Sequence, residues 1–466
     1  MHPWMMHDGY FDITETKMLT WSVLTVLFLF AAAIGCAVWS KPINFRSEHA
    51  VFLALAVLYS VVSVISAGGS WLGMDNRYQG VLTWMLYFLM FLFVSQTGVT
   101  VAGVWSMVAG FAGVMVLAAI NHWELDLLRV MGDLIPFDQG RYISTIGNIN
   151  FFGSYVCLVL PVVWVLWCFS HNGRREMILL VCIVLGSFGA AASKSECTVL
   201  GLGAAYLLIP FIGKSKPEIL PRWSLLLGVS ALGLLLFRAM THLIGGYGVS
   251  ALMELLMHPV IAGGMLLMGF GGFVCCRNRN DRQLAAFGRY YRLSMVVVLL
   301  VVVLILVLIN TVFLNAELGS LTPFLRFNSE WGSDRGRVWH ACLNRWVQMP
   351  WWQKLLGGGS GFVVRTDRLD PVFVDAILDA AHCEYLHYLL THGILGLGLY
   401  LGLNYMVLHR AVKTGEPLTL ALSVGVIGYL AQSGVNIAQP LTTPLYFVLL
   451  SVLAGPAPAG KKELRR

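Results

Sequence analysis

The feature that most constrains this chain is a series of about thirteen long apolar runs. A helix needs roughly 20 mostly apolar residues to cross a bilayer, and only helices or closed barrels satisfy their backbone polar groups in lipid. These runs are continuous rather than alternating, which favours helices. Only 12% of the residues are charged, against about 25% in soluble domains. The sequence predicts an all-α polytopic membrane protein with about 12–13 transmembrane helices. The predicted spans are 18–39, 50–67, 79–96, 98–120, 150–170, 176–193, 196–213, 222–241, 249–275, 291–314, 384–408, 418–435 and 439–455.

One long polar segment interrupts the apolar runs and divides the chain. Residues 1–315 are predicted to hold ten spans, and residues 382–455 the last three. Between them, residues 316–381 form a loop that contains several arginines and the glycine-rich stretch 357–361. Residues 456–466 are predicted to form a basic cytoplasmic tail. Crossing a bilayer requires no such loop, so we expect a functional site there.

Lysine and arginine are distributed unevenly between the two sets of loops that alternate along the predicted spans. One set, which includes Arg46, Arg222 and Arg410, holds eighteen basic residues, and the other, which includes Arg77 and Lys194, holds five. Basic residues accumulate in cytoplasmic loops, so the first set is predicted to face the cytoplasm. The long loop then lies outside, where there is no ATP or nucleotide sugar. Its substrate would have to arrive already activated.

Four of the outer segments carry polar residues that a simple span does not need. A guanidinium holds phosphate oxygens through charge-assisted hydrogen bonds, and glycine-rich backbone lets N–H groups approach an anion. An imidazole can accept a proton from a hydroxyl near neutral pH. These residue types together predict a site for a phosphorylated substrate. The candidate catalytic residues are His382 and Arg337, and the candidate substrate-binding residues are Arg77, Arg141, Asn148, Asn150, Lys194, Gly359 and Gly361.

Each candidate also has a purely structural interpretation, which the sequence leaves open. Arg77 could pair with Asp75 or reach toward lipid headgroups, and Lys194 could compensate Glu196. The two asparagines could cap the helix that begins near Phe151.

The long loop leaves the same choice open. Arg326, Arg335 and Arg345 could form a solvated face, the glycines could be a flexible turn, and His382 could cap or pack. His387 and His392 are interpreted as packing or polar residues of the following span.

The nine cysteines show neither a disulfide framework nor a metal-ligand spacing. Most lie inside predicted spans, although Cys342 and Cys383 could meet outside the membrane. The sequence therefore predicts no metal site.

At His382 the chain resembles the O-antigen ligase superfamily, which also includes O-antigen polymerases and some bacterial protein O-glycosyltransferases. The family motif is a histidine, a small polar residue, nine further residues and Gly-x-x-Gly. Here it reads His382-Cys383, nine residues and Gly393-Ile394-Leu395-Gly396, with cysteine in place of the usual Asn, Ser or Gln.

Upstream segments resemble other motifs of that family. Residues 336–339 are similar to its Arg-x-x-Trp segment with slightly offset spacing, and residues 357–361 to its Gly-x-Gly segment. Residues 147–151 resemble Gly-Asn-x-Asn-Phe, and residues 193–195 resemble a Ser-Arg pair with lysine in place of arginine. The resemblance covers roughly residues 140–405.

The resemblance implies an inverting, metal-independent glycosyltransferase without a cofactor. Its donor would be a glycan on undecaprenyl diphosphate and its acceptor a hydroxyl of a saccharide or glycolipid. It would act at the outer face of the bacterial cytoplasmic membrane, in surface polysaccharide assembly, without a nucleic-acid partner. By the same resemblance Arg337, helped by Arg141, Lys194 and Arg77, would hold the diphosphate, and His382 would orient or deprotonate the acceptor.

Two alternatives to this ligase-like activity stay open. The first is a glycan polymerase of the same superfamily, which differs only in its acceptor. The second is a flippase or other transporter of lipid-linked oligosaccharide, which favours charges at mid-membrane depth and an internal repeat. The sequence shows no such repeat, and its polar segments cluster at one face of the membrane. The exceptions, which would suit a transporter, are Arg238, Glu254 and His258.

Overall fold

The computed structural model describes residues 2–39, 42–66, 71–74, 77–130, 140–212, 214, 216–366, 372 and 374–456. The chain is largely helical within these residues. The helices are α1 (Ile13–Trp39), α2 (Ser47–Ile65), α3 (Val81–Thr97), α4 (Val101–His122), α5 (Ile149–Phe169), α6 (Gly173–Ala192), α7 (Glu196–Ile212), α8 (Leu220–Ile244), α9 (Ala251–Met257), α10 (Pro259–Arg277), α11 (Asp281–Thr311), α12 (Thr322–Leu325), α13 (Trp331–Gln348), α14 (Trp351–Leu356), α15 (Glu384–Thr414), α16 (Pro417–Ser433) and α17 (Thr443–Ala454). Two antiparallel pairs join β1 (Tyr142–Ile143) to β2 (Gly147–Asn148), and β3 (Val364–Arg365) to β4 (Ile377–Leu378). The predicted basic tail lies outside the described residues beyond Pro456.

Nine helices in the described part of the chain are long and apolar enough to cross a membrane: α1, α2, α4, α5, α6, α8, α10, α11 and α15. Four shorter apolar helices accompany them: α3, α7, α16 and α17. Each predicted span overlaps one of these helices. The protein is an all-α polytopic membrane protein, as the apolar runs predicted.

The span predicted at 249–275 is wrong in its first part. The structure divides it into α9 and α10, with His258 in an extended conformation between them (φ −61°, ψ 130°). A residue that precedes proline is pushed out of the helical region, and Pro259 suits the first position of a new helix. Glu254 therefore lies on the short α9, and the membrane-length helix begins at Pro259.

The predicted separation of α3 from α4 is confirmed. Gly98 has a positive φ of 69°, which ends α3, and the Thr100 hydroxyl accepts a hydrogen bond from the Gly103 N–H at the start of α4. Only three residues, 98–100, separate the two helices.

Helix α5 is the centre of the structure. In its most apolar stretch 94% of the residues are buried, against 0% in that of α11. Helix α16 approaches it closely, because an added Cβ at Gly425 would lie 2.3 Å from the Leu158 carbonyl oxygen and one at Gly428 would lie 2.4 Å from that of Cys157. Small residues allow such contact between membrane helices.

Helix α15 is sharply bent at Gly393, which has φ 68° and ψ −175°. The Tyr400 hydroxyl donates a 2.9 Å hydrogen bond to the Glu384 carboxylate. In a straight helix these two Cα atoms would be about 24 Å apart, far beyond the reach of the side chains. The first arm, residues 384–392, therefore turns back toward the second. The second arm, residues 394–414, is about 31 Å long and can cross the bilayer alone. The span predicted at 384–408 is thus two elements.

The polar insert has a small core of its own, which is shared with the first arm of α15. This core consists of Val338, Cys342, Met349, Val364, Ala381 and Leu390. The end of α14 lies in the bend of α15, where an added Cβ at Gly393 would be 2.4 Å from the Leu355 carbonyl oxygen. The insert is therefore docked onto α15.

Close α5–α16 contact yields a stability prediction. We expect Gly428→Ala to destabilise the protein by about 1–3 kcal/mol, because the new methyl group would collide with the α5 backbone. Gly203→Ala is the matched control, since an added Cβ there meets nothing within 4 Å. Thermal unfolding of both variants in detergent tests this. Equal melting temperatures would contradict the close contact.

Candidate functional site

His382 lies between β4 and the first arm of α15, in a left-handed conformation with φ 47°. The chain is buried just before and two residues after it: Ala381 belongs to the core of the insert, and Glu384 is held by Tyr400. A non-glycine residue in this conformation is strained and persists only where its surroundings fix it. The structure thus fixes the position of this imidazole.

Arg77 forms an ion pair with Asp379, three residues before His382. Its Nε and Nη2 atoms lie 2.8 and 3.1 Å from the two carboxylate oxygens. Such a two-point contact is strong and directional. The pairing of Arg77 is therefore with Asp379, while Asp75 lies outside the described residues. It fastens the segment before α3 to the His382 segment.

Arg335, at the start of α13, lies within electrostatic range of His382. Its charge acts on His382 and on Glu196, the first residue of α7. Residues 332–334 are all left-handed, with φ between 58° and 66°, so regular helix begins only at Arg335. The sequence favoured Arg337 and missed Arg335; the one available signal was its place in the same arginine-rich run.

Both of these arginines have a buried Nε atom without a hydrogen-bond partner. Arg335 donates through Nη1 to the Gly332 carbonyl at 2.6 Å. The Nε of Arg337 lies 3.6 Å from the Asp334 carboxylate, which is too long for a hydrogen bond. Buried donors without partners are rare in folded proteins. The beginning of α13 can therefore still donate to an anion.

Two other arginines of the insert have structural contacts. Arg326 donates to the carbonyls of Phe313 and Ala316, at 3.1 and 2.9 Å, just after α11 ends. The guanidinium of Arg345 lies 5.5 Å from the centre of the Phe362 ring. Arg326 is therefore not simply a solvated charge, whereas Arg345 is exposed.

The electrostatic surroundings keep the His382 imidazole neutral. Burial, followed by the charges of Arg335 and Arg77, lowers the pKa of His382 to about 4, and Asp379 opposes the shift. At neutral pH the ring can therefore accept a proton. The same cations that lower its pKa can attract an anion.

Lys194 lies in the left-handed region (φ 52°) between α6 and α7. Its Nζ donates to the Gly140 carbonyl at 3.1 Å and lies 4.0 Å from the centre of the Tyr247 ring. Burial lowers the pKa of Lys194 to about 8, and the charge of Glu124 opposes this. Lys194 is thus still mostly protonated at neutral pH. It fixes the residue that precedes Arg141, whose own position is exposed.

Asn148 and Asn150 both have structural roles. The Asn148 side chain caps α5 by accepting from the Asn150 N–H at 2.9 Å, so the cap interpretation is confirmed for Asn148. The Asn150 side chain accepts from the Ser195 hydroxyl at 2.6 Å, and its carbonyl accepts from Asn436 at 2.9 Å. These bonds hold the Lys194 segment against α5.

The glycine-rich segment 357–361 is docked on protein rather than open to an anion. The N–H groups of Gly358 and Gly359 donate to the carbonyls of Leu390 and Thr391 at 2.9 and 3.0 Å. Gly359 has φ 81°, and a Cβ there would lie 2.8 Å from the Cα of Ser63. These two glycines provide close packing. Gly361 follows them and is half-buried.

Three side chains of α15 complete the surroundings. Glu384 is buried and accepts from Tyr400, a role that its place at the start of an apolar run could have signalled. His392 stacks on Tyr59 at 4.0 Å, which confirms its interpretation as a packing residue. His387 lies within range of the charges of Arg77, Asp379 and His382.

Within the described residues, no group of three or more His, Cys, Asp or Glu side chains could hold a metal ion. Cys342 and Cys383 are free thiols, and Cys383 acts electrostatically on Cys342. Burial raises the pKa of Cys342 to about 12 and also raises that of Cys383. Both thiols therefore stay protonated and unreactive at neutral pH.

No family model, curated protein or solved structure matches the chain.

The lowered pKa of His382 predicts a pH-dependent stability. In the unfolded chain the pKa returns to about 6.5, so between pH 6.5 and 4 the unfolded state binds more protons. The folded state should lose about 2 kcal/mol as the pH falls through this window. His382→Asn should lose less, because asparagine tolerates the left-handed conformation but does not titrate. Melting temperatures of both proteins at pH 7.5 and 4.5 measure the difference. An identical pH dependence would contradict the shifted pKa.

Proposed function

We propose that the protein transfers a glycan from a polyprenyl-diphosphate carrier to a hydroxyl acceptor at the outer face of the bacterial cytoplasmic membrane. The observation that carries the proposal is the imidazole of His382, on which the charges of Arg335 and Arg77 act, with Arg77 held by Asp379 three residues before the histidine. A base and a set of phosphate-binding cations are the parts that such a transfer needs. The resemblance to O-antigen ligases supplies the reaction class.

The cations would act on the leaving diphosphate. Negative charge grows on it as the bond to the sugar breaks, and donors already in place stabilise that charge without reorganising. The unpartnered Nε atoms of Arg335 and Arg337 are suited to this task. Each such donor increases the reaction rate by a factor of about 10²–10³. Arg141 and Lys194 would extend the cationic surface.

In the proposed step the acceptor oxygen attacks the anomeric carbon from the face opposite the diphosphate. The new carbon–oxygen bond forms as the bond from that carbon to the phosphate oxygen breaks, and the electron pair leaves with the lipid diphosphate. The acceptor proton passes to the His382 ring. A positioned base contributes about 10²–10⁴ in rate. The anomeric configuration inverts, and no nucleotide is consumed.

Contacts between distant loops support the placing of the site at one end of the helices. Arg77–Asp379 and Asn150–Ser195 join segments that the charge distribution predicts to be outside. Arg410–Glu48 and Arg222–Glu176 join segments predicted to be inside. All four contacts pair loops of the same predicted side.

A glycan polymerase would use the same residues with a growing chain of the same glycan as its acceptor. The transporter alternative is weakened because Glu254 and His258 lie before the membrane-length helix α10 rather than within it. Arg238 remains on α8.

Substitutions at the site test the proposal. We expect His382→Asn and Arg335→Ala each to lower the rate of glycan transfer by at least about 10². His340→Asn and Arg365→Ala are matched controls, since both side chains belong to the same insert and are exposed. Purified proteins in lipid vesicles are supplied with a polyprenyl-diphosphate glycan and candidate acceptors.

Wild-type rates in His382→Asn would overturn the role of the histidine. Movement of the lipid-linked glycan across the vesicle membrane without transfer would favour the transporter instead. Arg337→Ala in the same assay determines whether one or both arginines contribute.

The pH dependence of transfer provides a second test. The profile of kcat/KM reports the free enzyme, so its acid limb should follow the His382 pKa of about 4. A bound diphosphate favours the imidazolium, so the acid limb of kcat, which reports the complex, should lie at higher pH. Coincident limbs near pH 6.5 would contradict the geometry.

A further inference from the structure

A cationic pocket of about 220 Å³ lies at the end of the helices opposite His382. It is lined by Arg46 just before α2, by Arg410 and Thr414 at the end of α15, and by Thr419 at the start of α16. The charge distribution predicts this end to be cytoplasmic. The pocket is separate from the proposed transfer site.

The charges and donors of this pocket are incompletely matched. Arg410 donates to Glu48 and to the Ala454 carbonyl. Arg46 donates through Nη2 to the Ser95 carbonyl at 3.3 Å, but its Nε is buried without a partner. The Thr419 hydroxyl, in a side chain only 4% exposed, has no hydrogen-bond partner either. A bound group with acceptor oxygens would satisfy both.

The two arginines repel each other across this pocket. Burial, followed by the charge of Arg410, lowers the pKa of Arg46 below its ordinary value, while Glu48 opposes the shift. Glu48 is already paired with Arg410. An anion beside Arg46 would relieve the repulsion.

An apolar cavity of about 350 Å³ adjoins the cationic pocket, and Val99 and Val452 line both spaces. Its walls come from α4, α5 and α17, and Trp4 also lines it, next to Gly110 of α4. From Thr100 to Gly110 the wall is about 15 Å long, which is half of the roughly 30 Å hydrocarbon thickness. The cavity therefore has the depth of one leaflet.

We propose that the two adjoining spaces bind one anionic phospholipid of the cytoplasmic leaflet, with its phosphate at Arg46 and Thr419 and one acyl chain in the cavity. Basic pockets between helices on this side of a membrane suit anionic headgroups. A zwitterionic headgroup would bring an ammonium toward two guanidiniums. A free phosphate would leave the apolar cavity empty.

Two variants test separately how the lipid headgroup and the acyl chain contribute to binding. Arg46→Gln removes the charge, and we expect it to weaken binding of phosphatidylglycerol about tenfold, the value of a charge-assisted hydrogen bond. Gly110→Leu fills the cavity, where an added Cβ meets only Trp4, at 3.6 Å. It should weaken binding without altering the charge.

The controls are Arg174→Gln, an exposed cation predicted on the same side, and Gly203→Leu on α7. The full-length protein is equilibrated in detergent with phosphatidylglycerol or phosphatidylcholine of the same chains, and retained lipid is measured by native mass spectrometry. One phosphatidylglycerol bound to wild type and to both controls, with weaker binding in both test variants, is the expected result. Folding of each variant is checked by its melting temperature.

Three results would overturn the proposal. Equal binding of phosphatidylcholine would exclude an anionic site. Inorganic phosphate that displaces the lipid at equal concentration would show that the cavity contributes nothing. Preferential binding of polyprenyl phosphate would identify a carrier-lipid site instead of a phospholipid site.

Discussion

The bend of α15 at Gly393 is the constraint on which the rest of the site depends. It turns the first arm back so that Tyr400 reaches Glu384, and it opens the space that the end of α14 fills. Only a residue without a side chain tolerates both the positive φ and the Leu355 carbonyl at this point. Gly396 beside it has a packing role of the same kind, since an added Cβ would lie 2.4 Å from the Cβ of His392. The two glycines of the motif are thus explained by geometry.

Only some of the cationic groups at the site are fully paired with an anionic partner. Asp379 occupies Arg77 with a two-point ion pair, whereas Arg335 and Arg337 each keep a buried Nε without a hydrogen-bond partner. Burial, followed by the charges of Arg335 and Arg77, lowers the pKa of His382. A fully paired cluster would be more stable but would have nothing left to offer an anion. The incomplete pairing is what distinguishes this end of the helices from a purely structural contact.

The sequence predicted the spans well because lipid imposes a strict length and polarity on any helix that crosses it. It predicted the structure less well where the conformation of one or a few residues determines how the neighbouring segments are placed. A single glycine hardly changes the mean hydropathy, so the two arms of α15 were predicted as one span. The left-handed residues 332–334 delay the start of regular helix to Arg335, whose charge acts on His382. Similarly, the glycine-rich sequence at Gly358 and Gly359 is typical of an anion site, but the N–H groups of both residues donate to carbonyls of α15. Such pairings are settled by tertiary contacts that no local pattern encodes.

The contact between Arg77 and Asp379 joins residues 302 positions apart in the chain. A ribosome adds about 5–20 residues per second, so Arg77 is synthesised roughly 15–60 seconds before its partner. Helices α3 to α11 have to be inserted during that interval with this cation unpaired. Assembly of the site is therefore a late event of biogenesis, and a truncated or stalled chain would present an unpaired arginine to its quality-control machinery.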